Sequence, residues 1–175
     1  MGDSAKNIIE FTLIYNQQKR KLYNYALKML SDRLLCEDII QNVFVKFFEN
    51  MYRIHNKERT EVWLYRTLRN EIYTIYRNKH VHVDQYGVAD TDDLEIESTL
   101  KLDEEIELKE MNQMMMNELD KISIEQREVF LLKEYSGFSY KEIAGIMNID
   151  EELVKSRLYK TRQKLINRLS KVVNY

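Results

Sequence analysis

Residues near the C-terminus combine cations with side chains that can contact bases, at spacings that place them on one side of a helix. At about 100° per residue, residues 151–171 separate into an apolar stripe and a polar face flanked by Lys and Arg. Lys and Arg attract phosphate, whereas Ser, Tyr and Gln can approach base edges. The candidate DNA-binding residues of this helix are Lys155, Ser156, Arg157, Tyr159, Lys160 and Gln163. The alternative is a solvated charged face on an ordinary bundle helix.

A short helix and a tight turn precede this basic helix. Ser139 and Glu142 form a capping box that begins a helix over residues 140–147. In the turn that follows, Asn148 suits a positive φ and Asp150 suits the N-cap of the next helix. Two helices joined by so short a turn, the second one basic, predict a DNA-binding helix-turn-helix. The short helix adds Tyr140 and Lys141 to the candidate DNA-binding residues.

A further helix before this pair completes the predicted C-terminal domain. Ser123 and Gln126 form its capping box, and Gly137 is suited to the left-handed conformation that ends it. The apolar stripe of the basic helix should pack on the two preceding helices; its members are Val154, Leu158, Leu165 and Leu169. Met111, Met114 and Met115 lie ahead of this domain at helical spacing and are expected to pack in it.

The N-terminal residues show apolar side chains at helical spacing throughout. A connection is expected over residues 52–59, with Thr60 capping a helix that runs to about residue 78. One face of that helix could hold a phosphate backbone and stack an unpaired base; it carries Arg66, Arg69, Asn70, Tyr73 and Arg77. A solvated arginine face is the equally open alternative.

The charge of the chain is distributed unevenly, although the net charge is only −2. Residues 81–110 contain 2 Lys/Arg and 11 Asp/Glu, whereas the segments on either side are net positive. The pattern predicts an all-α protein with an N-terminal helical domain at 1–80, an acidic linker at 81–110 and a helix-turn-helix domain at 111–175. Asp90, Asp92, Asp93 and Glu95 are expected in extended chain.

Other chemistry finds little support in the sequence. The single cysteine, Cys36, excludes an internal disulfide and is expected to be a buried thiol. His55, His80 and His82 lack partners at zinc-ligand spacing, so no metal site is expected. With no phosphate-binding loop and no nucleophile–base pattern, neither a cofactor nor an enzymatic activity is expected. The absence of a signal peptide or long apolar run predicts a cytoplasmic protein without membrane insertion.

Three stretches resemble bacterial RNA polymerase sigma factors of the small extracytoplasmic-function group. DRLLCEDIIQNVFVKFF at 32–48 resembles the polymerase-binding region, and WLYRTLRNEIYTIYR at 63–77 resembles the promoter-opening helix. REVFLLKEYSGFSYKEIA and VKSRLYKTRQKL, within residues 127–168, resemble the C-terminal helix-turn-helix. The chain departs from the family pattern at Thr74, where Asp is common, and at Asp150–Leu153, which place carboxylates at the start of the recognition helix.

The resemblance implies roles for particular residues. Glu37, Asp38, Gln41 and Phe44 match the surface that docks on core RNA polymerase. Asn70, Tyr73 and Arg77 match the helix that opens the minus-ten element; Lys155, Ser156, Arg157 and Tyr159 match the helix that contacts the minus-thirty-five element. The expected partners are core polymerase and promoter DNA, both double-stranded and melted, with an anti-sigma factor as a further partner. Two alternatives remain open: a stand-alone helix-turn-helix regulator with a sensing or dimerising N-terminal bundle, and a helical module that binds only protein.

Overall fold

The computed structural model describes the backbone of residues 2–54, 56–81 and 102–173, and the side chains of residues 4–54, 56, 59–79 and 108–171. Within these ranges the protein is all-α, as predicted. The helices are α1 Gly2–Leu30, α2 Arg33–Asn50, α3 Lys57–Val81, α4 Leu102–Leu119, α5 Ile124–Phe130, α6 Tyr140–Met147 and α7 Glu151–Val173. A 3-10 turn, Met51–Arg53, follows α2, and a π turn, Leu131–Tyr135, follows α5. None of the described helices is both long and apolar enough to cross a lipid bilayer.

The described residues fall into two compact units. One contains residues 2–54, 56–81 and 141–149; the other contains residues 102–140 and 150–173. The predicted domain limits remain a prediction, and the four acidic residues expected in extended chain, Asp90, Asp92, Asp93 and Glu95, lie outside the described residues. Helix α4 begins at Leu102, so the end of the predicted linker is helical.

In the first unit, α1, α2 and α3 pack against one another. Their shared core contains fully buried aliphatic side chains, and burial of each Val, Leu or Ile among them contributes about 1.5–3 kcal/mol; Leu22, Ala26, Val43, Leu64, Leu68 and Ile72 belong to it. The α1–α2 corner is sharp because Ser31 takes a positive φ of 54° and Asp32 caps α2 by accepting a hydrogen bond from Leu35 N at 3.0 Å.

The prediction that Thr60 caps α3 is wrong. The helix already begins at Lys57, and the Thr60 N–H donates to Asn56 O at 2.9 Å. The Thr60 hydroxyl donates to the same carbonyl at 3.0 Å. Thr60 is therefore an interior helix residue, and its hydroxyl hydrogen-bonds to a carbonyl of the preceding turn. It does not accept a hydrogen bond from a backbone N–H group at the start of the helix, as an N-cap would.

In the second unit, α7 packs on α5 and on α4. Arg127 ties α5 to the end of α4, because its guanidinium donates to Leu119 O at 3.1 Å and to Asp120 O at 3.0 Å. These carbonyls belong to the C-terminal turn of a helix, where backbone acceptors lack intrahelical donors. Of the methionines expected to pack here, Met114 and Met115 are half-buried, whereas Met111 is 64% exposed. The expectation for Met111 is wrong because it lies two turns ahead of Glu118 and Leu119, where α4 enters the buried part of the unit.

The predicted N-caps of α5 and α7 and the two predicted turn conformations are present, and the capping box predicted at Ser139 and Glu142 stays a prediction. Ser123 Oγ accepts from Gln126 N at 3.4 Å, and Gly137 has a φ of +74°. Asn148 has a φ of 55°, and Asp150 Oδ1 accepts from Leu153 N at 2.7 Å. Local residue types thus set the limits of α5 and α7. The π turn was not predicted; in it Ser136 N donates to Leu131 O at 3.0 Å, a carbonyl five residues back.

Candidate nucleic-acid interface

Helix α7 is fixed along one face by buried residues. Val154, Leu158 and Leu165 of the predicted stripe are buried, and Leu169 is half-buried. Thr161, which the apolar pattern did not include, is fully buried in the same stripe. Its hydroxyl lies 2.7 Å from Arg157 O and 3.4 Å from Gln126 O of α5, so its polar atom is satisfied within the helix pair. The face opposite this stripe is therefore held in a defined direction.

The opposite face of α7 carries the predicted DNA-binding side chains. Tyr159 is 65% exposed. Arg157 is half-buried, and the remaining members of the set are exposed: Lys155, Ser156, Lys160 and Gln163. Lys164, on the flank, instead donates to Gln126 Oε1 of α5 at 2.8 Å. The helix thus presents an aromatic ring, a hydroxyl and an amide between cations, a set of groups that can contact base edges and phosphates.

Carboxylates modify the charge at the start of this face. Lys155 Nζ lies 2.9 Å from Glu152 Oε1, and both side chains are exposed. The hydrogen bond to Glu152, followed by the charge of that carboxylate, raises the pKa of Lys155. Asp150 is occupied as the N-cap. The first two turns of α7 therefore contain an ion pair in which Glu152 offsets the charge of Lys155.

Tyr140, at the start of α6, lies beside two lysines. Its ring centroid is 4.8 Å from Lys133 Nζ and 5.9 Å from Lys155 Nζ, within the range of cation–π contacts. Lys133 Nζ also donates to Phe138 O at 3.1 Å. Tyr140 is half-buried, and Lys141 is exposed.

Arg162 of α7 interacts with Glu134 of the π turn. Arg162 Nε donates to Glu134 Oε1 at 3.0 Å, and Arg162 Nη2 bonds to the same oxygen. The hydrogen bond with Glu134 is the largest cause of the raised pKa of Arg162, to which Tyr140 contributes less. Arg162 is thus a cation of α7 whose charge is compensated from another element.

The arginine stripe predicted on α3 lies on the outside of the first unit. Arg66, Asn70 and Arg77 are exposed, and Arg69 and Tyr73 are half-buried. The Arg69 guanidinium carbon lies 4.2 Å from the centroid of the Tyr73 ring. A planar cation against an aromatic ring is a composite surface on which an unpaired base can stack.

Thr74, one of the departures from the family pattern, lies within this stripe. Its hydroxyl donates to Asn70 O at 2.9 Å and accepts from Arg77 Nη2 at 3.0 Å. Thr74 thus orients Arg77 through a hydrogen bond. Because the threonine hydroxyl is neutral, this bond does not offset the positive charge of the guanidinium.

The predicted docking residues of α2 are divided between surface and core. Glu37, Asp38 and Gln41 are exposed. Phe44 is only 3% exposed, and its ring centroid lies 4.7 Å from that of Tyr15 and 6.2 Å from that of Phe11. The expectation that Phe44 lies on an exposed face with the other three is wrong, because its ring packs against α1; docking by the exposed residues stays a prediction.

Exposed apolar residues that sequence reasoning missed continue the same face of α2. Leu34, Val45 and Phe48 are exposed, and each lies four or seven residues from Asp38 or Gln41. The signal was present in the sequence, because residues three or four apart share a helix face. An apolar row beside polar residues is typical of a protein-binding surface.

Two family models match the chain in succession. The sigma-70 region 2 family matches residues 14–81, and the sigma-70 region 4 family matches residues 112–165. The first match contains the α3 stripe and the exposed face of α2 around Asp38 and Gln41. The second contains the face of α7 opposite its buried stripe, here called the outer face of α7, with Lys155, Ser156, Arg157, Tyr159, Lys160 and Gln163. The chain belongs to the sigma-70 family.

The similarity to individual sigma factors is low in sequence and high in fold. The chain is 27% identical over 66 residues to the RNA polymerase sigma factor SigZ of Bacillus subtilis (strain 168), and this match spans 38% of each chain. It is 24% identical to the sigma factor RpoE in a co-crystal structure with the anti-sigma factor NepR from Bartonella quintana, with a TM-score of 0.73 and coverage of 92% of this chain and 97% of that one. It is 19% identical to CnrH, solved in complex with the cytosolic domain of CnrY, with a TM-score of 0.64 and coverage of 92% and 88%. The expected resemblance to sigma factors is thus confirmed at the level of the sigma-70 family.

The described part of this sigma factor contains no cluster of His, Cys, Asp and Glu that could hold a metal ion. His55 and His82 lie outside the described residues, as does the side chain of His80. Cys36 is fully buried in α2, and burial, together with the nearby Asp32 carboxylate, raises the pKa of its thiol to about 12. The thiol is therefore protonated at neutral pH, as expected of a structural cysteine.

Proposed function

We propose that this sigma factor binds core RNA polymerase, directs it to promoters through two DNA elements and helps to separate the strands. The observation that carries this proposal is the succession of sigma-70 regions 2 and 4, each coinciding with an exposed face of suitable chemistry. The α3 stripe is assigned to the melted minus-ten element, and the outer face of α7 to the duplex of the minus-thirty-five element. The stand-alone regulator is not favoured, because region 2 accounts for the N-terminal part that this alternative leaves to sensing or dimerisation.

Several further properties belong to the same proposal. The chain acts as a specificity subunit without a catalytic site of its own, in the cytoplasm, where polymerase and promoters meet. The neighbouring structure of RpoE contains an anti-sigma factor, and a partner of that kind is proposed here as well. The chemical support on this chain is the exposed row of α2, in which Val45 and Phe48 extend the face of Asp38 and Gln41.

Reconstituted transcription tests the proposal directly. The full-length chain is combined with purified core polymerase and a library of random duplexes, and bound or transcribed templates are sequenced. We expect enrichment of two short elements at a fixed spacing, and no enrichment with core polymerase alone. Specific DNA selection by the free chain, with no binding to core polymerase, would instead identify a stand-alone regulator.

The docking surface is tested by Asp38→Lys combined with Gln41→Ala. Reversal of a charge within a binding surface can cost several kcal/mol, so binding to core polymerase should be lost while circular dichroism remains helical. The matched control is Glu110→Lys with Gln113→Ala on α4, two exposed residues at the same spacing. Unchanged affinity of the α2 variant for core polymerase would show that docking lies elsewhere.

A further inference from the structure

The first part of α1 carries exposed apolar residues at intervals of one helical turn. Ile9 is 62% exposed and Leu13 is 57% exposed. Ala5, one turn ahead of them, is exposed as well. Residues four apart lie on the same face of a helix, so the three side chains form one row along the surface. We call Ala5, Ile9 and Leu13 the α1 ridge.

The packing of the first unit leaves this ridge uncovered. The Phe11 ring lies 5.2 Å from that of Phe48 of α2, and Leu22 is fully buried. At about 100° per residue, the ridge lies roughly opposite Phe11 and Leu22 on α1. Helices α2 and α3 therefore pack against the other side of α1, and the ridge is free to contact a further molecule.

The shape of the ridge is complementary to itself. A row of residues spaced four apart is the surface by which two helices most often pack ridge into groove. In an antiparallel pair with a twofold axis at Ile9, this residue meets its own copy. The small Ala5 of one copy then faces the large Leu13 of the other, twice in each dimer. Alternation of small and large residues lets two such surfaces interdigitate.

The charges beside the ridge are complementary in the same arrangement. Lys6 and Glu10 are exposed and lie four residues apart on one flank of the ridge. The twofold axis brings the same flank of both helices together, so Lys6 of one copy approaches Glu10 of the other. The ion pairs described in the first unit use other residues, Lys21 with Glu61 and Lys46 with Glu71.

We propose that a second copy of this chain binds the α1 ridge and forms an antiparallel, twofold-symmetric dimer. This inference is independent of the assigned DNA-binding faces and of the proposed function. The ridge spans only about two helical turns, so the dimer is weak and reversible, as expected of a small interface. Core polymerase is the main competing occupant, because the exposed row of α2 belongs to the same unit.

Analytical ultracentrifugation of the full-length chain, without a tag at its N-terminus, tests the proposal up to about 1 mM protein, which detects even millimolar dissociation constants. We expect a concentration-dependent equilibrium between monomer and dimer. Ile9→Lys should weaken the dimer about a hundredfold, because it removes an apolar contact and places two like charges at the twofold axis. Ile166→Lys, at a residue of α7 with 58% exposure, is the matched control and should leave the dimer unchanged.

Charge reversal tests the antiparallel arrangement. Lys6→Glu and Glu10→Lys should each weaken the dimer about tenfold, because each exposed pair contributes little but twofold symmetry repeats the change. An equimolar mixture of these two variants should recover wild-type affinity, since Glu of one chain then faces Lys of the other at both positions. Mixing cannot repair a contact within one chain, so recovery would assign the effect to the interface between copies.

Four results would overturn the proposal. The first is a wild-type chain that remains monomeric up to about 1 mM. The second is a dimer that Ile9→Lys leaves intact, with circular dichroism still helical, which would place the interface elsewhere. The third is a mixture of the two charge variants that fails to recover affinity. The fourth is a monomeric wild type whose affinity for core polymerase falls in Ile9→Lys but not in Ile166→Lys, which would assign the ridge to polymerase.

Discussion

Helices α3 and α7 both present a row of cationic side chains, but these side chains contact different kinds of neighbouring group on the two helices. In the α3 stripe, Arg69 lies over the Tyr73 ring and Arg77 donates to the Thr74 hydroxyl. Acidic residues of α3 are used elsewhere: Glu61 lies 3.3 Å from Lys21 of α1, and Glu71 pairs with Lys46 of α2. The contacts described for Arg69 and Arg77 are with a neutral ring and a neutral hydroxyl.

In α7, two of the cations have carboxylate partners. Glu152 pairs with Lys155, and Glu134 pairs with Arg162. A phosphate that approaches such a pair must compete with the carboxylate, so binding gains less from charge alone. On the proposed assignment, we therefore expect α7 to depend more than α3 on contacts that distinguish one DNA sequence from another.

The largest expected effect would come from removing the strand-holding groups of α3. Tyr73→Ala with Arg77→Ala should reduce promoter opening about tenfold to a hundredfold, since base stacking on a ring contributes about 1–3 kcal/mol per base. Permanganate reactivity of thymines near the start site measures opening. Tyr52→Ala with Arg53→Ala, another cation–π pair of the first unit, is the matched control.

A template whose strands are mismatched over the opened region provides a second test of the same prediction. Pairing no longer opposes opening there, so the Tyr73/Arg77 variant should recover much of the lost transcription. An equal defect on both templates, with normal core binding and closed complexes, would mean that the α3 stripe does not act in melting.

The second effect concerns discrimination by α7. Tyr159→Ala should narrow the affinity difference between the preferred minus-thirty-five element and single-base variants by about tenfold, because a base contact contributes about 1–3 kcal/mol of discrimination. Binding of a panel of promoter variants by holoenzyme measures this difference. Ile166→Ala, at an exposed apolar residue further along α7, should leave the preference unchanged. If Tyr159→Ala retained the full preference, the ring would have no part in sequence recognition.

A smaller effect is expected when the carboxylate partner of a cation on α7 is removed. Glu152→Gln removes the partner of Lys155, so affinity for all duplexes should rise about threefold, in line with the modest energy of an exposed ion pair, and the salt dependence should steepen. Glu151→Gln removes the neighbouring carboxylate and serves as control, with a smaller expected gain. Equal gains in the two variants would show that only net charge matters and that the pair with Lys155 has no special effect.

The smallest effect concerns the attachment of α7 to α4. Glu118 lies 2.5 Å from Lys121 and 3.4 Å from Arg168 of α7. The hydrogen bond from Lys121 is the largest cause of the lowered pKa of Glu118. The ionised carboxylate of Glu118 therefore stabilises the folded state at pH values above the usual pKa of a glutamate. This contribution is lost as the pH falls through the lowered pKa. The Tm difference between wild type and Glu118→Gln should shrink on acidification; a constant difference, as for Glu110→Gln, would contradict this.

The features best predicted from the sequence are those decided by residues close together in the chain, such as helix caps and turns. Asp150, Asn148 and Gly137 have the cap and turn conformations expected of them, because a cap is decided by one side chain and the backbone within three residues. The apolar period likewise predicted the buried faces of α3 and α7.

What the sequence missed depends on packing between distant residues. Phe44 is buried because α1 supplies Phe11 and Tyr15 to its ring, and residue spacing within α2 does not encode those neighbours. The bond between Arg162 and Glu134 joins residues 28 apart. The roles of the site residues remain predictions, since exposure shows that a side chain is available without showing what it binds.

The π turn at Leu131–Tyr135 gives the second unit a means to evolve by a change in chain length. An α-helix advances about 100° and 1.5 Å per residue, so deletion of one residue there would rotate Lys133 and Glu134 by that amount relative to Gly137. Such a deletion would separate Lys133 from Tyr140 and Glu134 from Arg162 in one step, while the turn reverted to ordinary helical hydrogen bonding. A single codon lost or gained at this point would thus change two side-chain contacts of the second unit at once, without substituting any residue of α7.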